Sequence, residues 1–143
     1  MHLILPSILG YEVIARDAVS TLALRCGMPL ERIEDVKTVL CEACVSAMEQ
    51  GCHSDPQRKI QVVCEVDERQ LVVEVYAEIG GSLVLPCKPV QWSLKQPTSL
   101  RDLGFGLIVS LADEVSVSAD AHNGTRMRLV FYRDPAGVEV NIS

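Results

Sequence analysis

No apolar stretch in this chain approaches the ~20 residues that a membrane-spanning helix needs. The apolar opening, Met1 to Leu9, is short, carries no Lys or Arg, and runs straight into Glu12, Arg16 and Asp17. It does not read as a signal peptide, and a cytoplasmic protein is the expectation. Runs of Lys or Arg are missing too: 13 basic residues are scattered among 19 acidic ones, for a net charge of −6. That balance offers no electrostatic footprint for DNA or RNA, so direct nucleic-acid binding is not expected. Repeats, low-complexity tracts and composition shifts are absent, and residues 1–143 read as one domain. His2, His53 and His122 fall in termini or turns, where no Ser/His/Asp or Cys/His arrangement can be built on them. There is one Cys-x-x-Cys, Cys41 to Cys44, and no second to complete a zinc site. Redox pairs use a helix N-terminus to lower the thiol pKa, whereas this pair falls mid-helix. Reduced, buried structural thiols are the expectation. Cys52, His53 and Cys64 remain a candidate metal set, should the fold bring them together.

What is present suits a folded core. Apolar residues make up 48% of the chain and charged ones 22%, which excludes a disordered reading. The length supports a core without disulfide or metal staples.

Met1–Leu5 reads as a short strand ended by Pro6. Helical periodicity begins near Gly10, carries Val13, Ile14, Asp17, Ala18, Thr21, Leu22 and Leu24, and stops at Cys26-Gly27. Pro29 opens a second helix, with Glu31, Glu34 and Asp35 near its positive end. Ile33, Val36, Leu40, Ala43, Ala47 and Met48 make its buried stripe, which runs to about Gln50-Gly51. Lys59–Val66 and Gln70–Ala77 alternate as antiparallel strands around Asp67-Glu68-Arg69. Glu78–Leu100 is irregular, and a loop of that length inside a domain is often functional. A third helix, Gly104–Ala112, is expected to be entered through a glycine turn. Two more strands follow, Glu114–Ala119 and Thr125–Tyr132. This order predicts an α+β two-layer sandwich, one mainly antiparallel sheet with about three helices on one face.

Three clusters can carry chemistry. Glu42 sits at the edge of the buried stripe, with Ser46 one turn on at i+4, so both side chains point the same way. Such a pair suits activation of a hydroxyl or support of a metal; the plain alternative is a solvated helix glutamate. In Arg101-Asp102-Leu103-Gly104-Phe105-Gly106-Leu107, glycines ahead of an apolar helix allow close backbone approach and an anion site on free N–H groups. The alternative is a tight turn used only for packing. Asn123-Gly124-Thr125 reads by itself as a hairpin turn.

Taken together, these motifs resemble a known family. Ile33-Glu34-Asp35-Val36-Lys37 leading to Glu42-Ala43-Cys44-Val45-Ser46-Ala47-Met48-Glu49 resembles the N-box helix of the anti-sigma-factor serine kinases, within the histidine-kinase-like (GHKL) ATPases. Leu103 to Val109, followed by Leu111 to Val115, resembles the second glycine box and its strand. Gly124-Thr125 matches the family's C-terminal glycine-threonine pair, and the similarity covers roughly residues 3–132. The resemblance implies a Bergerat-type fold, a homodimer, ATP and Mg2+. It also implies two protein partners: a sigma factor, and an anti-anti-sigma (STAS-type) protein phosphorylated on serine. By carry-over, Glu42 would be the general base and Arg101 a charge-stabilising residue. Ser46, Gly81, Gly104, Phe105, Gly106, Leu107 and Thr125 would bind nucleotide, with Ser46 also at the metal. Two departures stand out. Ser46 replaces the family's metal-binding Asn. Ala77-Glu78-Ile79-Gly80-Gly81 replaces Asp-x-Gly-x-Gly, so the aspartate that accepts from the adenine amino group is gone. A non-catalytic binding module with weak or no ATP binding is therefore the alternative function.

Overall fold

The computed structural model describes residues 1–52, 55–77, 100–120 and 124–133; at 50, 51, 100–104, 119 and 120 only the backbone is described. The elements are β1 (His2–Pro6), α1 (Glu12–Arg25), α2 (Leu30–Ser46), β2 (Lys59–Val66), β3 (Gln70–Ala77), α3 (Leu100–Leu111), β4 (Glu114–Asp120) and β5 (Gly124–Tyr132). The strands form one antiparallel sheet in the order β1-β2-β3-β5-β4.

Period-two alternation decides which sheet face is buried. Ile60, Val62 and Cys64 on β2, Leu71, Val73, Val75 and Ala77 on β3, and Met127, Leu129 and Phe131 on β5 share one core with the helices. Gln70, Val72, Glu74 and Tyr76 alternate with the buried β3 residues and are only partly covered. The β2–β3 hairpin is fixed locally: the Asp67 carboxylate accepts the N–H groups of Arg69 and Gln70 at 2.7 and 2.9 Å. The α+β expectation holds, with five antiparallel strands and three helices among the described residues.

Helix α1 stops as expected. Gly27 has φ +83, and the next N–H, that of Met28, reaches back to the Ala23 carbonyl, a left-handed cap that a Cβ would strain. Its buried face is Ala15, Val19 and Ala23, while Val13, Ile14 and Leu24 face solvent. The small residues lie at i, i+4 and i+8, so α1 sits close to its neighbours through them. Helix α2 buries Ile33, Val36, Val39, Leu40, Ala43 and Cys44. Full burial of an aliphatic side chain of this size contributes about 1.5–3 kcal/mol. The α geometry ends at Ser46, earlier than expected. Ala47–Gly51 forms a wide π turn, closed by the Cys52 N–H on the Ala47 carbonyl at 2.9 Å.

Helix α3 differs most from expectation. It begins at Leu100, so Gly104-Phe105-Gly106 lie inside the helix and not in a turn ahead of it. Phe105, Ile108 and Ala112 are buried at i, i+3 and i+7, and this anchor pattern outweighs the ~1 kcal/mol that each interior glycine costs. Only the first four N–H groups of a helix lack internal partners, so the N–H groups of Gly104, Phe105 and Gly106 are used within α3.

Candidate functional site

Glu42 and Ser46 lie on the same side of the last turns of α2, both half-buried. Among the described residues neither has a hydrogen-bond or ion-pair partner, which leaves a carboxylate and a hydroxyl available on the rim of a rigid core helix. The π turn after Ser46 packs against β3 and β5. At the ends of those two strands, Ala77 pairs with Thr125, 48 positions later in the chain, and Thr125 also pairs with Ala119 of β4. The fold thus brings the close of the first degenerate motif beside the glycine-threonine pair. Ala77 is fully buried between Ile60 and Thr125. A methyl group there gives neither a donor nor an acceptor to a ligand.

On α3, packed against α2, the two faces of the glycine segment differ. Phe105 is a core side chain, only 7% exposed. Leu107 is 42% exposed. Gly106 is the informative position. Its backbone is not left-handed, and among the described residues nothing lies within 4 Å of where its Cβ would sit. Neither conformation nor packing demands glycine there, yet glycine costs about 0.8–1 kcal/mol against alanine in a helix interior. Among the described residues neither conformation nor packing accounts for Gly106, so both the ligand-approach and the packing readings of this segment stand. Arg101 and Gly104 are placed in α3 by their backbone alone, and Gly81 lies outside the described residues.

The cysteines behave as buried thiols. Cys44 is wholly in the core, and burial pushes its thiol up to about 12. Burial does the same at Cys64, to about 12, more strongly than the nearby N-terminal ammonium lowers it. Cys41 is also raised, by burial first, although Arg16 opposes the shift. None of these three is a ready thiolate at neutral pH. Cys52 and Cys64 are both core residues, His53 lies outside the described residues, and among the described residues no three His, Cys, Asp or Glu side chains are grouped to hold a metal. No described helix is long and apolar enough to cross a membrane.

A shallow groove of about 270 Å³ lies elsewhere, on the sheet face away from the helices, between Val63, Val66, Val72, Glu74 and Arg128. It contains none of the candidate residues. Sequence reasoning gave no sign of the Glu74 cluster beside it, where the carboxylate accepts from Arg126 and from the Tyr76 hydroxyl. Burial raises the Glu74 pKa, but those hydrogen bonds outweigh it and hold the carboxyl below its usual range. The β3–β5 register that assembles the cluster is a long-range property of the fold.

Comparison with known proteins bears on the family of the chain. The chain is similar to the anti-sigma F factor of Oceanobacillus iheyensis, 23% identical over 126 residues covering 87% of this chain and 86% of that protein. It is 26% identical to that of Clostridium novyi over 117 residues, 81% and 82% of the two chains. With that of Bacillus subtilis it shares 21% over 130 residues, 90% and 89%. Residues 6–131 match the histidine kinase-like ATPase domain, a span running from the end of β1 into β5, and the chain belongs to that family.

Proposed function

We propose that this protein is an anti-sigma regulator, a single cytoplasmic domain that holds a sigma factor and also binds an anti-anti-sigma protein of the STAS type. In this reading it phosphorylates the second partner on serine, using ATP and Mg2+. The observation that carries the reading is Gly106, an interior helical glycine that nothing among the described residues requires. The similarity to three anti-sigma F factors over most of both chains supports the choice of partners.

The residues fit a nucleotide in part. Gly104 to Leu107 and Gly81 would lie against phosphate by close approach, since α3 uses the N–H groups of Gly104 to Leu107 internally; Thr125 would face the base end and Ser46 the metal. ATP with Mg2+ supplies, when bound, an electrophilic phosphoryl group with its charge neutralised. Glu42 accepts the proton of the attacking serine hydroxyl, since its carboxylate is half-buried and uncommitted among the described residues. Arg101 offers positive charge to the transferring group. Ser46 is a shorter and weaker ligand than asparagine, and Ala77 offers the base nothing. Each lost contact costs about 1–3 kcal/mol, or about 5- to 150-fold in affinity. Titration calorimetry with Mg-ATP is expected to show binding weaker than micromolar. Micromolar or tighter binding refutes the weakened site.

A second reading has its own support in the buried Ala77 methyl: a binding module that exchanges protein partners without phosphoryl transfer. Incubation with radiolabelled ATP and a STAS-type partner separates the two, because only the kinase labels the partner's serine. In either reading the protein works as a homodimer. Ile8, Leu9, Tyr11 and Ile14 leave apolar surface exposed near the start of α1, with Leu9 60% exposed, and a second copy would cover it. Leu9→Lys is expected to shift the protein to monomer in sedimentation, and a wild-type monomer refutes the dimer.

A further inference from the structure

A single arginine, far in sequence from the glycine segment, joins the two helices of the proposed site. Arg32 lies in the first turn of α2, the positive end of the helix, where a cation is poorly placed. Its guanidinium is directed elsewhere. Nη1 donates to Asp35 Oδ2 at 2.8 Å and to the Leu111 carbonyl, the last residue of α3, at 3.2 Å. Nη2 donates to Asp113 Oδ2 at 2.6 Å, just beyond that helix. The same Asp113 oxygen accepts the Tyr132 N–H at 2.6 Å, and the Asp113 N–H donates to the Val130 carbonyl at 2.8 Å. The guanidinium also lies 5.6 Å from the centre of the Phe131 ring. Only 16% of the Arg32 side chain is exposed, and among the described residues its Nε has no hydrogen-bond partner. The fork is thus placed for the end of α3 even though one buried donor goes unsatisfied.

We propose that Arg32 is a positioning residue for the nucleotide site. It pins the C-terminal end of α3 to the N-terminal end of α2 and to β5, and so sets where Gly106 stands relative to Glu42. Glu42 lies about 15 Å along α2 from Arg32, and Gly106 about 7.5 Å along α3 from Leu111, at 1.5 Å per residue. Both are rigid helical spans, so rotation at the pinned end becomes displacement at the site. The burial of Phe105 and Ile108 resists such rotation; unlike a directional ion pair, apolar contact does not fix an angle. An Arg fork holds two acceptors in one plane, which a Lys ammonium does not. The proposal rests on the nucleotide reading above.

The test compares wild type, Arg32→Lys, Arg32→Ala and Val62→Ala, the last a sheet-side control that lowers stability without touching the clamp. Mg-ATP affinity is measured by calorimetry, and amide hydrogen exchange is followed without nucleotide. Expected is a loss of about tenfold to a hundredfold in affinity for Arg32→Ala. Arg32→Lys falls between it and wild type, and Val62→Ala is unchanged. Exchange at residues 105–108 rises in the Arg32 variants more than in β2 and β3. Unchanged affinity and unchanged local exchange in a folded Arg32→Lys overturns the proposal, as does loosening spread evenly over the protein. Should Arg32→Ala fail to fold, Arg32→Lys decides alone. Should wild type bind no Mg-ATP, the nucleotide reading fails separately, and the exchange at 105–108 still judges the clamp.

Discussion

The two helices that frame the proposed site are secured in different ways. Helix α2 is held by a continuous apolar stripe, from Ile33 through Val36, Val39, Leu40 and Ala43 to Cys44, every one of them buried. Among its described residues, α3 buries Phe105 and Ile108, followed by Ala112 just past its end. Its far end depends on the polar joint at Arg32. Helix α2 therefore presents Glu42 and Ser46 from a rigid support. The helix bearing Gly106 is set by geometry as much as by burial. In the proposed kinase reading, a helix that answers to nucleotide would suit the second construction, and a general base the first.

The sharpest way to break this contrast is Glu42→Gln. It removes only proton acceptance, so serine labelling of the partner is expected to fall about 10²- to 10⁴-fold. Partner binding and stability should stay unchanged. Labelling that persists in this variant removes Glu42 from the role of base.

Next in size is Leu40→Ala. Leu40 is fully buried in the α2 stripe, and its truncation is expected to cost about 2–5 kcal/mol in denaturant unfolding. A cost under about 1 kcal/mol would mean that α2 is not the rigid support.

Gly106→Ala is the most discriminating change on α3. An added methyl meets nothing among the described residues, so stability should rise by about 0.5–1 kcal/mol while Mg-ATP affinity falls. A gain in stability with unchanged affinity would leave Gly106 with no ligand to explain it.

The smallest effect lies away from both helices, at Glu74. Its folded pKa is held below the ordinary 4.5. The stabilisation from its ion pair is therefore complete above that value and lost as pH falls through the folded pKa. Glu74→Gln should flatten this acid limb of the stability curve. The change should stay within about 1 kcal/mol, because Arg126 is largely exposed and solvent screens the pair. An unchanged acid limb would show that Glu74 contributes nothing to it.

Much of this fold was legible in the sequence, for local reasons. The bounds of β2 and β3 follow from strict alternation and the Asp67 turn. Gly27 marks the end of α1 through a conformation that suits glycine. The bounds that shifted depend on tertiary packing or on unusual geometry. One wide turn after Ser46 leaves no trace in a pattern of apolar residues. The start of α3 was read from its glycines, whereas anchoring through Phe105 and Ile108 carries the helix back across them. In the site, the shared face of Glu42 and Ser46 was visible from spacing alone. The meeting of Ala77 with Thr125 required the β3–β5 register, and the Arg32 joint spans partners 79 and 81 positions away. Periodicity does not carry information over that range.

That register has a kinetic consequence. Strand β3 finds β5 only after α3 and β4 have been formed or looped out, because Ala77 and Thr125 stand 48 positions apart. Pairings this distant close late and slowly, so the rate of refolding should follow changes in the β3–β5 ladder more closely than changes in the β2–β3 hairpin. The equilibrium penalty of a longer connection is small, about 0.6 kcal/mol for each doubling of a flexible loop. A connection between β3 and β5 can therefore change length over evolution at little thermodynamic cost, while the ladder that closes it stays the same.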